Sequence, residues 1–316
     1  MWLAFAFLSA ALLGCYDVCK KHALRGNAVI PVLCINTCIC CALFLPGIVG
    51  SALGTVGADS AYFIPGGTPA AHGFVVLKSC IVLSSWLCGY FAIKQLPLTI
   101  VGPINATRPV LTLLGAMLIY GERLNSWQWA GVLLAITSFY LLSRSSKREG
   151  ISFARNRHIL LLVAAALLGA MSGLYDKYLL APEASGGAGL DRMFVQGWYN
   201  LYQAVMMTAV LLVLWLPARR RGEAQPFSWK WSIVLISLFL TAADLAYFYA
   251  LSHPDAMISV VSMVRRGSVL VSFCVGAWLF REKNLRAKAF DLLLVLLSMV
   301  CLFIGAHPKF LGGNYL

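Results

Sequence analysis

The sequence predicts an all-α polytopic membrane protein, with ten transmembrane helices arranged as two inverted five-helix repeats. Three observations lead to this fold class: the composition, ten apolar runs long enough to span a membrane, and a short motif that occurs once in each half of the chain. Of the 316 residues, 60% are hydrophobic and 12% are charged, whereas soluble domains are roughly half apolar and about a quarter charged. A mean hydropathy of +0.80 exceeds what a soluble core can bury, so soluble globular and disordered classes are excluded.

Ten runs between charged or Pro/Gly-rich breaks have the roughly 20 mainly apolar residues that a membrane span requires. The first run lacks both a preceding basic region and a small-residue cleavage site, so it is interpreted as a span and not as a signal peptide. The ten predicted spans are Trp2–Cys19, Ile30–Val49, Phe74–Ile93, Leu98–Tyr120, Trp127–Leu142, Ile159–Tyr178, Phe194–Leu216, Trp231–Leu251, Met257–Phe280 and Ala289–Ala306.

Two connections divide the chain. The segment from Ser51 to His72 contains four glycines and two prolines, a composition that favours an irregular surface loop over an eleventh span. The segment 144–158 is short and basic, and it joins two halves of five spans each. The predicted organisation is therefore a first repeat at 1–143, this connecting loop, a second repeat at 159–306 and a short tail at 307–316.

A short motif occurs once in each half. Ala-Leu-Leu-Gly at 11–14 leads into Tyr16-Asp17, and the same tetrapeptide at 166–169 leads into Tyr175-Asp176, so that the two aspartates are 159 residues apart. An odd number of spans in the first half places the second half upside down in the membrane. Inverted repeats of this kind are typical of secondary transporters, whose substrates bind near the membrane midplane.

The fourth and fifth predicted spans carry a more specific pattern. The stretch from Pro103 to Leu124, followed by Trp-Gln-Trp-Ala-Gly-Val-Leu-Leu-Ala, resembles the end of an EamA repeat of the drug/metabolite transporter superfamily. The second half is similar but looser, at 265–268 and 281–284. The resemblance implies two EamA units and a ten-helix carrier with a central substrate cavity. It also implies a small metabolite as substrate, a class that includes amino acids, sugars and nucleotide derivatives.

Ionisable side chains inside a bilayer are costly unless they face the protein interior or water, so those within the spans are candidate substrate-binding residues. Arg108 is central among them, because Pro103 and Pro109 on either side predict an irregular helix of the kind that lines a cavity. Tyr16 and Tyr175 are included because each precedes a repeated aspartate. The candidates are Arg108, Arg265, Arg266, Asp17, Asp176, Tyr16, Tyr175, Asp244 and Lys78, and secondary wall residues are Trp86, Tyr90, Trp198, Tyr199, Gln203 and Tyr247.

Alternatives remain open for several of these charges. Arg265 is preferred to Arg266 as the counterpart of Arg108. Relative to Glu282, Arg265 lies on roughly the same helix face as Arg108 does relative to Glu122. The alternative is a structural role, with Arg265 or Arg266 bonded to Asp244. A second set is as consistent with snorkelling to the interface as with function, although Asp17 has the spacing to pair along its own helix. This set comprises Lys20, Lys21, Lys78 and Lys177.

Basic side chains outnumber acidic ones within the spans, which favours a substrate with at least one anionic group, since arginine binds carboxylate or phosphate in a bidentate manner. The predicted function is a secondary active transporter of a small polar, anionic metabolite, working by alternating access, with protons as an optional coupling ion. Export of lipophilic cations is the alternative within transport, and an intramembrane enzyme or a structural membrane protein is the alternative outside it. No enzyme activity, cofactor, metal or nucleic-acid partner is expected, and the ten cysteines are interpreted as helix-packing residues.

Charge bias addresses orientation. Seventeen of the 25 lysines and arginines fall in the odd-numbered connections, which the positive-inside rule makes cytoplasmic, with both termini external. The family resemblance implies cytoplasmic termini instead, so the orientation stays open, as does the oligomeric state. The expected location is the cytoplasmic (plasma) membrane.

Overall fold

A computed structural model of the chain describes residues 2–120, 125–147, 156–180, 183–251, 264–265, 267–279 and 285–306. Over these residues the chain forms helices and irregular connections, without a β-strand. The all-α prediction is therefore confirmed.

Eleven α-helices follow one another along these ranges. They are α1 Trp2–Leu24, α2 Val29–Ala52, α3 Pro69–Gln95, α4 Leu98–Ala106, α5 Arg108–Tyr120, α6 Ser126–Lys147, α7 Arg157–Leu180, α8 Arg192–Arg220, α9 Trp231–Leu251, α10 Ser268–Leu279 and α11 Leu285–Ala306.

Two of the predicted spans depart from regular α-helical geometry. The predicted fourth span is broken at Thr107, where α4 ends and α5 begins. Pro109 explains the break, because it has no N–H to donate to the carbonyl four residues earlier. At the break, the Thr107 hydroxyl donates to the Ile104 carbonyl at 2.7 Å. Helix α8 widens to a π-helical turn over Leu211–Trp215.

Length and composition identify four helices that can each cross a membrane: α2, α3, α7 and α8. Two shorter apolar segments, Trp231–Tyr247 and Leu292–Gly305, lie in α9 and α11. These helices support an integral membrane protein, while the count of ten spans stays a prediction. The predicted ninth span, Met257–Phe280, lies partly outside the described residues.

The connection between α2 and α3 is irregular, as its glycines and prolines predicted. It nevertheless folds back onto the helices, because the Trp198 indole donates to the Pro65 carbonyl at 2.9 Å and Ile64 is buried. Gly67 has a φ of 71°, and a Cβ at this position would lie 2.2 Å from the ring of Phe194. The turn therefore requires glycine for both its conformation and its close approach to α8.

Helix packing brings the two halves of the chain together. Helix α1 contacts α9 and α10, α7 contacts α3 and α5, α2 contacts α8, and α6 contacts α11. Glycines allow close approach at two of these interfaces: a Cβ on Gly14 would lie 2.4 Å from that of Val271, and one on Gly115 would lie 2.5 Å from Leu174. Small residues at crossings are how membrane helices gain packing energy when hydrophobic association contributes little.

Lysine side chains donate hydrogen bonds to helix ends on the side of the protein where the first, third and seventh connections between predicted spans lie. Lys21 donates to the Ile93 and Leu96 carbonyls at 2.6 and 2.5 Å, and Lys230 donates to the Arg25 carbonyl at 2.5 Å. Burial, reinforced by the nearby Arg25 cation, lowers the pKa of Lys230. These charges satisfy carbonyls at helix C-termini, so part of the basic excess used for the orientation argument has a structural role.

Candidate functional site

The three predicted aspartates each contact a cation. Asp17 lies 2.8 Å from Lys20, one turn further along α1. Asp176 on α7 is bonded to Lys78 on α3, and Asp244 on α9 is bonded to Arg265, which lies just before α10. The Lys78–Asp176 pair therefore connects two helices that are 98 residues apart in sequence, whereas Asp244 and Arg265 are 21 residues apart.

Lys20 lies inside the protein and not at its surface. The residue is 6% exposed, and its ammonium is 4.1 Å from the centre of the Tyr16 ring and 5.2 Å from that of Tyr90. Cation–π contacts with both rings add to the Asp17 ion pair. Snorkelling to the interface is therefore wrong for Lys20, and Tyr16 belongs to the same cluster as the repeated aspartate that follows it.

The Lys78–Asp176 pair lies beside α8. Lys78 is buried, with its ammonium 5.2 Å from the centre of the Tyr199 ring. Tyr199 is also within electrostatic range of Asp244 and Arg265. The secondary candidate Tyr199 thus contacts one ion pair and is influenced electrostatically by a second.

The alternative structural role of Arg265 is realised, since the side chain pairs with Asp244 and places its guanidinium carbon 4.3 Å from the centre of the Tyr247 ring. Arg266 lies outside the described residues, so the choice between the two arginines as counterpart of Arg108 stays a prediction. Glu122 and Glu282, used for that choice, also lie outside them.

Arg108 differs from the other cations. Its Nε is buried without a hydrogen-bond partner, and no carboxylate among the described side chains forms an ion pair with it. The guanidinium lies directly over Gly169 of α7, where a Cβ would be 3.0 Å from its central carbon. Among the described residues, Asp17 and Tyr16 act on it electrostatically. The break at Thr107 positions this cation at the first residue of α5.

Tyr175 packs against an aromatic cluster that also includes the secondary candidates Trp198 and Tyr199. Its hydroxyl donates to the Phe74 carbonyl at 3.3 Å, and its ring stacks on Tyr178 with centroids 5.9 Å apart. The two tyrosines of the repeated Tyr-Asp motif therefore have different surroundings, because Tyr16 contacts Lys20.

We call the interior polar groups together the polar interior. They come from α1, α3, α5, α7, α8 and α9, with Arg265 just before α10. The polar interior comprises Tyr16, Asp17, Lys20, Lys78, Tyr90, Arg108, Asp176, Tyr199, Asp244 and Arg265.

Two buried amides border the polar interior. Gln203, a secondary candidate, is 1% exposed, and neither its Nε2 nor its Oε1 has a hydrogen-bond partner within the described ranges. Asn36 on α2, which the sequence argument missed, accepts from the Ser237 hydroxyl at 2.9 Å but leaves Nδ2 unpartnered there. The signal that could have found Asn36 is a polar residue in the middle of an apolar span.

Comparison with known proteins adds three findings. Residues 1–144 match the family model described as the EamA-like transporter family, which belongs to the drug/metabolite transporter superfamily. No curated protein matches the chain. One solved crystal structure of a protein is similar to this chain, with a TM-score of 0.57 and 14% sequence identity. The similarity covers 97% of this chain and 97% of the chain in that structure. That likeness concerns the fold alone.

Proposed function

We propose that this protein is a secondary carrier for a small polar, anionic metabolite, because residues 1–144 match the model of the EamA-like transporter family, whose members are transporters and not enzymes. This match and the apolar helices support an integral membrane protein of the drug/metabolite transporter type. The proposal extends this to alternating access, to the plasma membrane, and to a substrate whose anionic group binds Arg108.

Arg108, which has no ion-pair partner among the described side chains, carries the proposal. A guanidinium with a buried Nε and no counter-ion is costly, and its planar arrangement of donors fits a carboxylate or phosphate. Lys20, Lys78 and Arg265 already have carboxylate partners. An anionic substrate is therefore the partner that Arg108 lacks among the described side chains.

Matched helix contacts support movement of two repeated units. The five spans of the first half correspond in order to the five of the second, so that α1, α2, α3 and α4–α5 correspond to α7, α8, α9 and α10. Under this correspondence, the contact of α1 with α9 matches the contact of α7 with α3. Likewise, α1 with α10 becomes α7 with α5, and α2 with α9 becomes α8 with α3. All six contacts occur. This correspondence supports repeats at 1–143 and 159–306, joined by the loop at 144–158 and followed by the tail at 307–316.

The polar interior gives less support to export of lipophilic cations. Such an exporter needs a carboxylate that a substrate cation can reach, whereas Asp17, Asp176 and Asp244 each contact a protein cation. Proton coupling is part of the proposal, through Asp17 or Asp176, since protonation of either would release its lysine.

Transport by purified protein in proteoliposomes tests the proposal. A thermal-shift screen of metabolites selects ligands, because a ligand stabilises the protein by RT ln(1 + [L]/Kd), and counterflow of the labelled hits then measures transport. We expect Arg108→Gln to abolish counterflow of anions and Arg108→Lys to retain part of it. Arg220→Gln, an equal loss of charge at an exposed position near the end of α8, is the matched control and keeps wild-type counterflow.

Hits that are predominantly lipophilic cations, and that Arg108→Gln still transports, would replace this proposal with cation export.

A further inference from the structure

We infer that the substrate is a monoanion with a carboxamide or hydroxyl group, and that the Gln203 amide binds this uncharged group while Arg108 binds the charge. The inference rests on the proposed transport function and specifies the chemical class of its substrate. It starts from the hydrogen-bonding capacity that the protein leaves unused.

Gln203 is the strongest of these unused groups. Buried polar groups in proteins almost always have hydrogen-bond partners, yet both polar atoms of this amide lack one among the described residues, and the residue is 1% exposed. Asn200, one turn earlier on α8, has the usual arrangement, since its Nδ2 donates to the Gln196 carbonyl at 2.8 Å. The contrast within one helix marks Gln203 as a buried amide for which the described part of the chain provides no partner.

The contacts of α8 with α2 fix the level of Gln203 along the bundle. Thr208 lies 3.9 Å from the Cys34 sulfur, and Leu201 packs in a cluster with Phe44. The order along α8 is therefore opposite to that along α2. Gln203 is two residues from Leu201 and five from Thr208, so it lies level with the interior of the segment from Cys34 to Phe44, around Cys40 and Cys41.

Cys40 occupies that level on α2 and borders the polar interior. Its sulfur accepts from the Thr241 hydroxyl at 3.9 Å, and it is within electrostatic range of Tyr90 and Tyr199. Tyr199 and Gln203 are four residues apart and share a helix face. Gln203 therefore faces the polar interior and not the lipid.

Other unpartnered groups lie around the same interior. Asn36 precedes Cys40 by one turn, is fully buried, and has an unpartnered Nδ2. The hydroxyl of Tyr90 is also buried without a partner among the described residues. Together they add hydrogen-bonding groups for the uncharged part of a ligand.

The charge of the ligand follows from the ion pairs. Each aspartate in the polar interior neutralises one cation, which leaves Arg108 as one positive charge among the described side chains. One negative charge on the substrate balances it, whereas a dianion would bring a second charge into a site that is already neutral, at a high desolvation cost. The Gln203 amide provides both acceptor and donors, so its best match is a group that also provides both.

Ligand binding to the purified protein tests the inference, with four probes of similar size. Succinamate is a monoanion with a carboxamide, 4-methylpentanoate is its apolar monoanionic counterpart, succinate is the dianion and succinamide is uncharged. We expect succinamate to bind about tenfold or more tightly than each of the other three, as measured by calorimetry and by thermal shift.

Gln203→Leu separates a binding role from a structural one. We expect it to remove the preference for succinamate over 4-methylpentanoate and to raise the melting temperature of the unliganded protein, because two unpartnered polar atoms leave the interior. Gln203→Met provides the same test if the leucine variant does not fold. Asn200→Leu, which removes a buried amide that is already bonded, is the control and keeps the preference.

Each other outcome overturns the inference. Tighter binding of succinate than of succinamate, or an unchanged preference for succinamate in Gln203→Leu, would refute the inference. The transport proposal would still stand if anion binding depended on Arg108. Binding of none of the three anions would refute both.

Discussion

Substitution of Gly169 by alanine tests whether α7 positions the Arg108 guanidinium. The added Cβ would lie 3.0 Å from the guanidinium carbon, 3.1 Å from Nη1 and 3.2 Å from Nε. These distances are shorter than ordinary van der Waals contact, so the guanidinium must move. Because it is the end of a flexible side chain, we expect it to move while the backbones of α5 and α7 stay in place.

The expected effect on transport is about tenfold. Restoring a contact of roughly 3.5 Å requires a shift of about half an ångström, and a misplacement of about 1 Å in a binding group costs on the order of a hundredfold. Half of that displacement corresponds to about 1.4 kcal/mol. The effect on folding is smaller, because alanine within a helix gains about 1 kcal/mol over glycine, which offsets part of the crowding.

Initial rates of anion counterflow in proteoliposomes, together with melting temperatures, measure the two effects separately. We expect a higher half-saturation concentration with little change in maximal rate, because the substrate is held less well throughout the cycle. Gly173→Ala is the matched control, since it lies one turn later on α7 and a Cβ there meets nothing within 4 Å. It should show only the gain in helix stability.

If Gly169→Ala transports anions as well as Gly173→Ala does, the close packing of the Arg108 guanidinium on α7 has no part in binding.

Three further predictions concern stability and topology. Gly14→Ala, at the equivalent place in the other copy of the motif, should destabilise the fold by roughly 1–3 kcal/mol, because its Cβ would meet Val271 on α10 at 2.4 Å; an unchanged melting temperature would contradict that packing. Asn27→Ala should cost about 2–3 kcal/mol in unfolding free energy, since the buried side chain donates to the Ser228 carbonyl at 2.8 Å and accepts from the Ser228 and Ala28 amides; retained stability in thermal unfolding would argue against this link. An impermeant thiol reagent should not label Ser145→Cys in intact cells, because the positive-inside rule places this connection in the cytoplasm; rapid labelling would favour the opposite orientation.

Local spacing accounts for what the sequence predicted well about the interior. Asp17 and Lys20 are three residues apart, so helix geometry alone allows them to pair. The interruption near Arg108 follows from the missing N–H of Pro109. The irregular connection before α3 follows from its glycines and prolines. In each case the cause lies within a few residues of the effect, where a single chain is informative.

Contacts between helices were decided by the tertiary structure. Lys78 and Asp176 are 98 residues apart, and nothing in their local sequence specifies that they meet. The same packing pairs Asp244 with Arg265 and leaves Arg108 over a glycine without an ion pair among the described side chains. It also leaves the Gln203 amide without a hydrogen-bond partner among the described residues, whereas Asn200 bonds within its own helix. Periodicity assigns a side chain to a helix face, but its partner depends on the rotation and relative height of the neighbouring helices, which only close packing fixes.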